Sequence, residues 1–145
     1  MKVLLWLALA IAPDGLIIRG VEMRAPGVFS WPLVSGDEVQ AKSGALVEFR
    51  DSSRLYLNND CRIQLEPGGS VHVMEGTLTY RLAANSTLSL HAVDRFLTRA
   101  QSASGTIVVK SGKVQIAFGT HPPPFAWDEK ALMQRLNWTL GVHLP

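Results

Sequence analysis

Cysteine is almost absent from this sequence, which limits both its redox chemistry and its metal chemistry. Cys61 is the only cysteine among the 145 residues. A lone cysteine cannot form an intramolecular disulfide, and it cannot build a thiolate metal site by itself. It follows Asn58-Asn59-Asp60 at the predicted start of a strand, and no histidine and acid stand at a recognisable spacing from it. We therefore expect a small, half-buried residue rather than a nucleophile.

Charge is also scarce, and the cations are scattered. Charged residues make up 18% of the chain, the net charge is +2, and no run of lysine or arginine occurs. Binding to nucleic acid needs clustered cations that displace counterions, so we expect no nucleic-acid partner. The hydrophobic content of 47% and the length together predict one folded domain with a real core.

Complete catalytic motifs are missing as well. The sequence has no glycine-rich phosphate loop and no nucleophile elbow. The acids Asp37, Glu38, Asp51 and Asp60 lie in predicted turns, where carboxylates cap backbone amides. We therefore predict that the chain is not an enzyme and that it holds no cofactor and no metal.

What the sequence does contain is a regular pattern of short strands between Leu33 and Leu82. Apolar and polar residues alternate, and turn signals such as Ser35-Gly36-Asp37 and Pro67-Gly68-Gly69 separate the runs at about 8-residue intervals. This spacing is typical of an all-β sandwich, barrel or β-helix. We predict an antiparallel β-sandwich or a flattened, β-helix-like domain over residues 16–118. The side chains expected inside are Val47, Phe49, Leu55, Leu57, Ile63, Leu65, Val73, Leu78, Tyr80, Leu90, Val114 and Ile116.

The first fifteen residues resemble a targeting segment. Lys2 precedes the apolar run Val3–Ala12, and Ala8-Leu9-Ala10 or Ala10-Ile11-Ala12 at the end of this run could supply the small residues of a cleavage site. The run is too short to span a bilayer. We predict a signal peptide or short anchor over residues 1–15, and export to a periplasm or cell surface; the membrane is touched only if the segment is not cleaved. A buried first strand is the alternative.

In the last part of the chain, residues 119–145, the spacing of apolar residues changes from the alternation of a strand to the period of a helix. His121-Pro122-Pro123-Pro124 forms a stiff spacer, and Asp128-Glu129-Lys130 suits the first turn of an amphipathic helix that ends near Leu140. A helix of about three turns is marginal alone in water, so its apolar side must be covered by its own β domain or by a second chain. The predicted partner-contact residues are Trp127, Leu132, Met133, Leu136, Trp138 and Leu140.

Several pieces, taken in order, resemble the FecR-like domain of periplasmic regulators and other exported proteins. They are Leu33-Val34-Ser35-Gly36-Asp37-Glu38-Val39, Gly44-Ala45-Leu46-Val47-Glu48-Phe49, Asp51 with Ser53-Arg54-Leu55-Tyr56-Leu57, Arg62-Ile63-Gln64-Leu65, Met74-Glu75-Gly76-Thr77-Leu78-Thr79-Tyr80, and Val109 with Ser111-Gly112-Lys113-Val114-Gln115-Ile116. Ser52 replaces a usual glycine, and a Gly-Thr-x-Phe element expected before Val109 is missing. With only fifteen residues before the first predicted strand, we expect no sigma-factor-binding segment there. The resemblance therefore implies the binding module rather than the regulator.

Two histidines support an alternative function. His72 and His91 both fall on the polar side of their predicted strands, where together with Glu75 they could bind a metal. The residues from Pro67 to Gly76 resemble a cupin metal motif with one histidine missing. The leading prediction is an exported, non-enzymatic FecR-like module that binds protein partners or self-associates. The alternatives are a small cupin-like, metal-dependent enzyme and a structural subunit of a surface assembly.

Overall fold

The computed structural model describes residues 7–12, 15–23, 29–58 and 60–119, and within these ranges the protein is entirely β. Thirteen strands belong to one curled, mainly antiparallel sheet. Their bounds are β1 Ala8–Ala12, β2 Leu16–Ile18, β3 Val21–Met23, β4 Phe29–Leu33, β5 Glu38–Ala41, β6 Ala45–Phe49, β7 Arg54–Leu57, β8 Arg62–Glu66, β9 Ser70–Arg81, β10 Ser89–Ala92, β11 Arg95–Leu97, β12 Ser104–Lys110 and β13 Lys113–Phe118. The predicted all-β class is confirmed.

Strand β9 divides the sheet into two halves. Half A runs in the order β4-β1-β6-β7-β9-β12-β13, and half B in the order β3-β2-β5-β8-β9-β10-β11. Every neighbouring pair is antiparallel except β9 and β10, which run parallel. Both halves contribute to a single hydrophobic core cluster.

The passage of β9 from one half to the other occurs at Gly76. Residues before it pair with β8, and residues from Leu78 onward pair with β7. Gly76 has a φ of 100°, which side-chain-bearing residues rarely adopt, and an added Cβ would lie 2.6 Å from the Cα of Cys61. Only glycine meets both conditions, because it has no Cβ.

The core agrees closely with the predicted interior. Ten of the twelve side chains expected inside are buried, whereas Val114 and Ile116 are only partly buried. Both exceptions lie on β13, which pairs with β12 alone among the described strands. A strand with one neighbour leaves one side of its inward residues uncovered.

Two of the four predicted turn acids, Asp37 and Asp51, cap backbone amides as expected, whereas Glu38 lies in β5 rather than in a turn. The Asp37 carboxylate accepts a hydrogen bond from the amide of Val34 at 2.9 Å, and Asp51 accepts one from the amide of Ser53 at the same distance. Arg19 forms a salt bridge with Asp37 at 2.9 Å, which ties the β2–β3 turn to the turn before β5. These carboxylates therefore fix backbone geometry.

The apolar run near the amino terminus contributes a strand to the core. Ala8–Ala12 form β1, which pairs with β4 on one side and β6 on the other, and all five residues are buried. This is the alternative that the sequence left open, a buried first strand, and the sheet therefore includes residues before Leu16. Within the described residues, no helix is long and apolar enough to cross a membrane.

The predicted C-terminal helix and its spacer lie outside the described residues. The same is true of the six predicted partner-contact residues, Trp127, Leu132, Met133, Leu136, Trp138 and Leu140.

Candidate metal centre

Three neighbouring strands of half B bring two histidines and a glutamate together. Glu66 ends β8, His72 lies on β9 and His91 lies on β10. In the strand register, His91 stands directly beside His72, and Glu66 is opposite Ser70, two residues before His72. Because side chains alternate along a strand and Val71 and Leu90 point into the core, these three point to the outer face.

The three side chains are close enough to act on one ligand. One ligand atom of each, a ring nitrogen from both histidines and a carboxylate oxygen from Glu66, lies within 4.8 Å of the other two, and all three residues are half-buried. The two imidazole rings stack with centroids 4.5 Å apart and an angle of 8° between planes. Phe96, on β11, stacks on the other side of His91 with centroids 5.2 Å apart.

Hydrogen bonds set the charge of the cluster. The bond between His91 Nε2 and Glu66 lowers the pKa of the Glu66 carboxyl below its usual value, and the Ser70 hydroxyl donates a second bond at 3.2 Å. Glu66 is therefore an ionised acceptor at neutral pH, and His91 donates to it. Among the described residues, none is hydrogen-bonded to either ring nitrogen of His72.

The sequence identified two of these three residues. His72 and His91 share a face as predicted, but Glu75 does not join them; it lies opposite Arg62 and lines a surface hollow with Gln40 and Asp60. Glu75 was the wrong acid because it lies three residues after His72, an odd spacing that does not share the outward alternation of His72, and it pairs with Arg62 beyond the irregularity between Arg62 and Ile63.

Glu66 was missed, although the sequence contains a signal for it. A three-residue turn at Pro67-Gly68-Gly69 makes Glu66 the cross-strand partner of Ser70, and both glycines have the positive φ that such a turn requires. Two histidines and one carboxylate form a ligand set that suits zinc and other divalent transition metals.

Cys61 has no nucleophilic character in this structure. It is fully buried, deeper than the sequence suggested, and burial raises the pKa of its thiol to about 12. A neutral thiol in the core is inert.

A second feature, the outer row of half A, is defined by Leu9, Ile11, Leu46 and Tyr56. Ile11 pairs with Leu46, and Leu46 pairs with Tyr56, so the row crosses β1, β6 and β7. These four side chains are at most 3% exposed, yet none belongs to the core cluster. The inward face of β1 carries only alanines, so the larger side chains of this strand point away from the core.

Comparisons of this chain with protein-family models, with curated proteins and with solved structures give no match.

Proposed function

We propose that this chain is a non-enzymatic, FecR-like binding or assembly module of the cell envelope, and that it acts by holding an amphipathic segment on the outer row of half A. The FecR-like pieces lie on β5 to β9 and on β12 and β13, with the turn acids Asp37 and Asp51 capping backbone amides between them. In its finer form, we propose a sandwich-like arrangement in which the two halves of the sheet enclose the common core.

The observation that carries this proposal is the outer row itself. An antiparallel sheet with one face on the core usually shows polar side chains on the other face. Half A instead places a leucine, an isoleucine, a second leucine and a tyrosine there, and all are buried. Such a face needs a second layer, since soluble proteins avoid large exposed apolar patches.

We infer that residues 125–140 supply that layer. Each of the thirteen described strands places at least one side chain in the core cluster or against it, on the side of the sheet opposite to the outer row. Residues 120–145 are the longest part of the chain outside the described ranges, and they carry the predicted apolar stripe of Leu132, Met133, Leu136 and Leu140. A helix of thirteen residues is about 20 Å long, which exceeds the roughly 10 Å between the outermost of three adjacent strands.

Truncation after Thr120 tests the proposal. We expect the truncated chain to bind an apolar dye or to precipitate, and we expect a peptide of residues 120–145 added in trans to reverse this while its tryptophan fluorescence shifts to the blue. If the full-length protein is an oligomer and the folded truncated form is a monomer, the segment covers the row of a second copy. The proposal is wrong if the truncated chain keeps its fold, stability and monomeric state and does not bind the peptide. The segment would then not be the contact element.

A substitution in the full-length chain gives an independent check. Leu46→Asp puts a charge into the outer row, and Gln115→Asp puts the same charge on exposed β13 of the same half. We expect Leu46→Asp alone to reproduce the effect of truncation. Equal effects of the two substitutions would argue that the outer row has no special role.

For localisation, we propose export with the first strand retained. Lys2 and the run Val3–Ala12 have the composition of a secretion signal. Cleavage after Ala10 or Ala12 would remove pairings of β1 with both β4 and β6. Mass spectrometry of native protein from fractionated cells should find an envelope form that still contains residues 8–12. An intact chain confined to the soluble cytoplasmic fraction would refute export, and a mature form starting at residue 11 or 13 would refute retention.

A further inference from the structure

The β10–β11 hairpin has a narrow attachment to the rest of half B. Strand β10 pairs with β9 in parallel over only three residues, Ser89, Leu90 and His91, and β11 pairs with β10 alone among the described strands. Parallel pairing is slightly weaker per residue than antiparallel pairing. A ligand that bridges this hairpin to the rest of the sheet should therefore measurably slow its local opening.

The cluster of Glu66, His72 and His91 spans this attachment. His91 belongs to the hairpin, whereas Glu66 and His72 belong to β8 and β9, which continue into the sheet. A ligand that all three residues share would join three successive strands. The only direct side-chain hydrogen bond across this attachment in the cluster is the one from His91 to Glu66.

The chemistry of the three side chains suits a divalent transition metal. The Glu66 carboxylate is ionised, and a ring nitrogen of His72 has no hydrogen-bond partner among the described residues. To bind a metal ion through Nε2, His91 would give up the hydrogen that Nε2 shares with Glu66, and the metal-bound neutral ring would carry its single hydrogen on Nδ1, reached by proton exchange with water. Ligand atoms around tetrahedral zinc lie about 3.3 Å apart. The three atoms here all lie within 4.8 Å of one another, so binding would draw them together by about 1.5 Å at most.

Phe96 completes the site from the hairpin side. Its ring stacks on His91 at 20°, so that His91 is held between Phe96 and His72. Phe96 itself is 63% exposed, so it lies on the solvent side of the cluster. Its position limits the rotation of the His91 ring and shields one side of the ring from water.

We propose that Glu66, His72 and His91 bind one divalent transition-metal ion of the zinc class, and that this ion fastens the β10–β11 hairpin to β8 and β9. The role is structural and separate from the outer row of half A. Three protein ligands leave at least one coordination position for water, so the site is more open than the four-ligand structural sites of zinc.

Calorimetric titration of the untagged, full-length chain with Zn²⁺ tests the site. We expect one ion per chain, and at least tenfold weaker binding for His72→Ala and for His91→Ala. Glu75→Gln is the matched control, because it changes an acid that lies outside the cluster, and its affinity should not change. Glu66→Gln keeps the shape of the side chain, so its weakened binding would not reflect misfolding. Absence of binding, or equal binding by His72→Ala, would overturn the proposal.

Hydrogen exchange measured by mass spectrometry tests whether the metal ion holds the β10–β11 hairpin against β8 and β9. With Zn²⁺, amides of residues 89–97 should exchange at least tenfold more slowly, while those of β6 and β7 should not change. His72→Ala should abolish the difference. If Zn²⁺ binds but the exchange of residues 89–97 does not change, the structural role is wrong. Both measurements leave the outer row untouched, so their failure is distinguishable from failure of the proposed protein-binding function.

Discussion

Halves A and B of the sheet follow the same alternation but carry opposite chemistry on the face turned away from the core. In half A, the outward residues of β1, β6 and β7 include Leu9, Ile11, Leu46 and Tyr56, and these are buried. In half B, the outward residues of β5, β8, β9 and β10 are mainly polar, namely Glu38, Gln40, Arg62, Gln64, Glu66, Ser70, His72, Ser89 and His91, with Met74 as the exception. The outward face of half A therefore has a buried apolar row on β1, β6 and β7 that the outward face of half B lacks.

The strand that joins the halves is the most sensitive place to break this arrangement. Gly76→Ala should destabilise the protein by about 4 kcal/mol or more, because left-handed strain and overpacking each contribute up to about 3 kcal/mol. The added Cβ meets the Cα of Cys61, which is backbone and cannot rotate away. Denaturant unfolding followed by circular dichroism measures the loss.

Gly112→Ala is the control for this prediction. Gly112 also has a positive φ, of 75°, but an added Cβ would meet nothing within 4 Å. Its cost should stay near 1 kcal/mol, the penalty for left-handed backbone alone. Similar losses for both variants would mean that close packing at the junction of the halves is unimportant.

Truncating an outward side chain in each half sharpens the comparison. Leu46→Ala in half A should cost about 2–4 kcal/mol, as for a core leucine. Gln64→Ala on the outer face of half B should change stability by less than about 0.5 kcal/mol, as is usual at the surface. Thermal and urea unfolding of the two variants measure both values. Equal, small effects would mean that no second layer covers half A.

The thiol of Cys61 reports whether the two halves separate. Burial raises its pKa to about 12, so only about one thiol in ten thousand is ionised at pH 8. An alkylating reagent should therefore modify the folded protein at the rate of unfolding, and denatured protein immediately. Rapid modification of the folded protein would show that the junction of the halves opens without global unfolding.

The smallest expected effect is the acid response of half B. The pKa of Glu66 lies below its usual value of 4.5, mainly because His91 donates a hydrogen bond to it. A lowered pKa contributes stability above pH 4.5, and this contribution is lost as pH falls through the folded-state pKa. Glu66→Gln should therefore slightly flatten the loss of stability below pH 4.5, measured by urea unfolding. Glu75→Gln, the same change outside the cluster, is the control, and an equal flattening there would contradict the assignment to Glu66.

The sequence predicted the strands well because their information is local. Alternation between Ala45 and Leu82 and the turn residues specify which side chains face the core, and ten of twelve expected side chains are buried there. Alternation places Leu46 and Tyr56 on the outward face of the sheet, but it does not show that this face is covered. Their burial depends on a second layer over that face, which the local sequence does not reveal. Likewise, Glu66 joins the histidines only through the register of the β8–β9 turn, and a one-residue change in register would have reversed its face.

The most direct test of the account is a photo-cross-link from the outer row. The full-length chain would carry benzoylphenylalanine in place of Tyr56, with a second protein carrying it in place of Phe96 on half B as the control. After irradiation and digestion, we predict that position 56, and not position 96, is joined to a peptide from residues 125–140, either in the same chain or in a second copy. Cross-links from position 56 to residues 1–6, to solvent-derived products alone, or to the same peptides as position 96 would contradict the claim that the C-terminal segment covers half A.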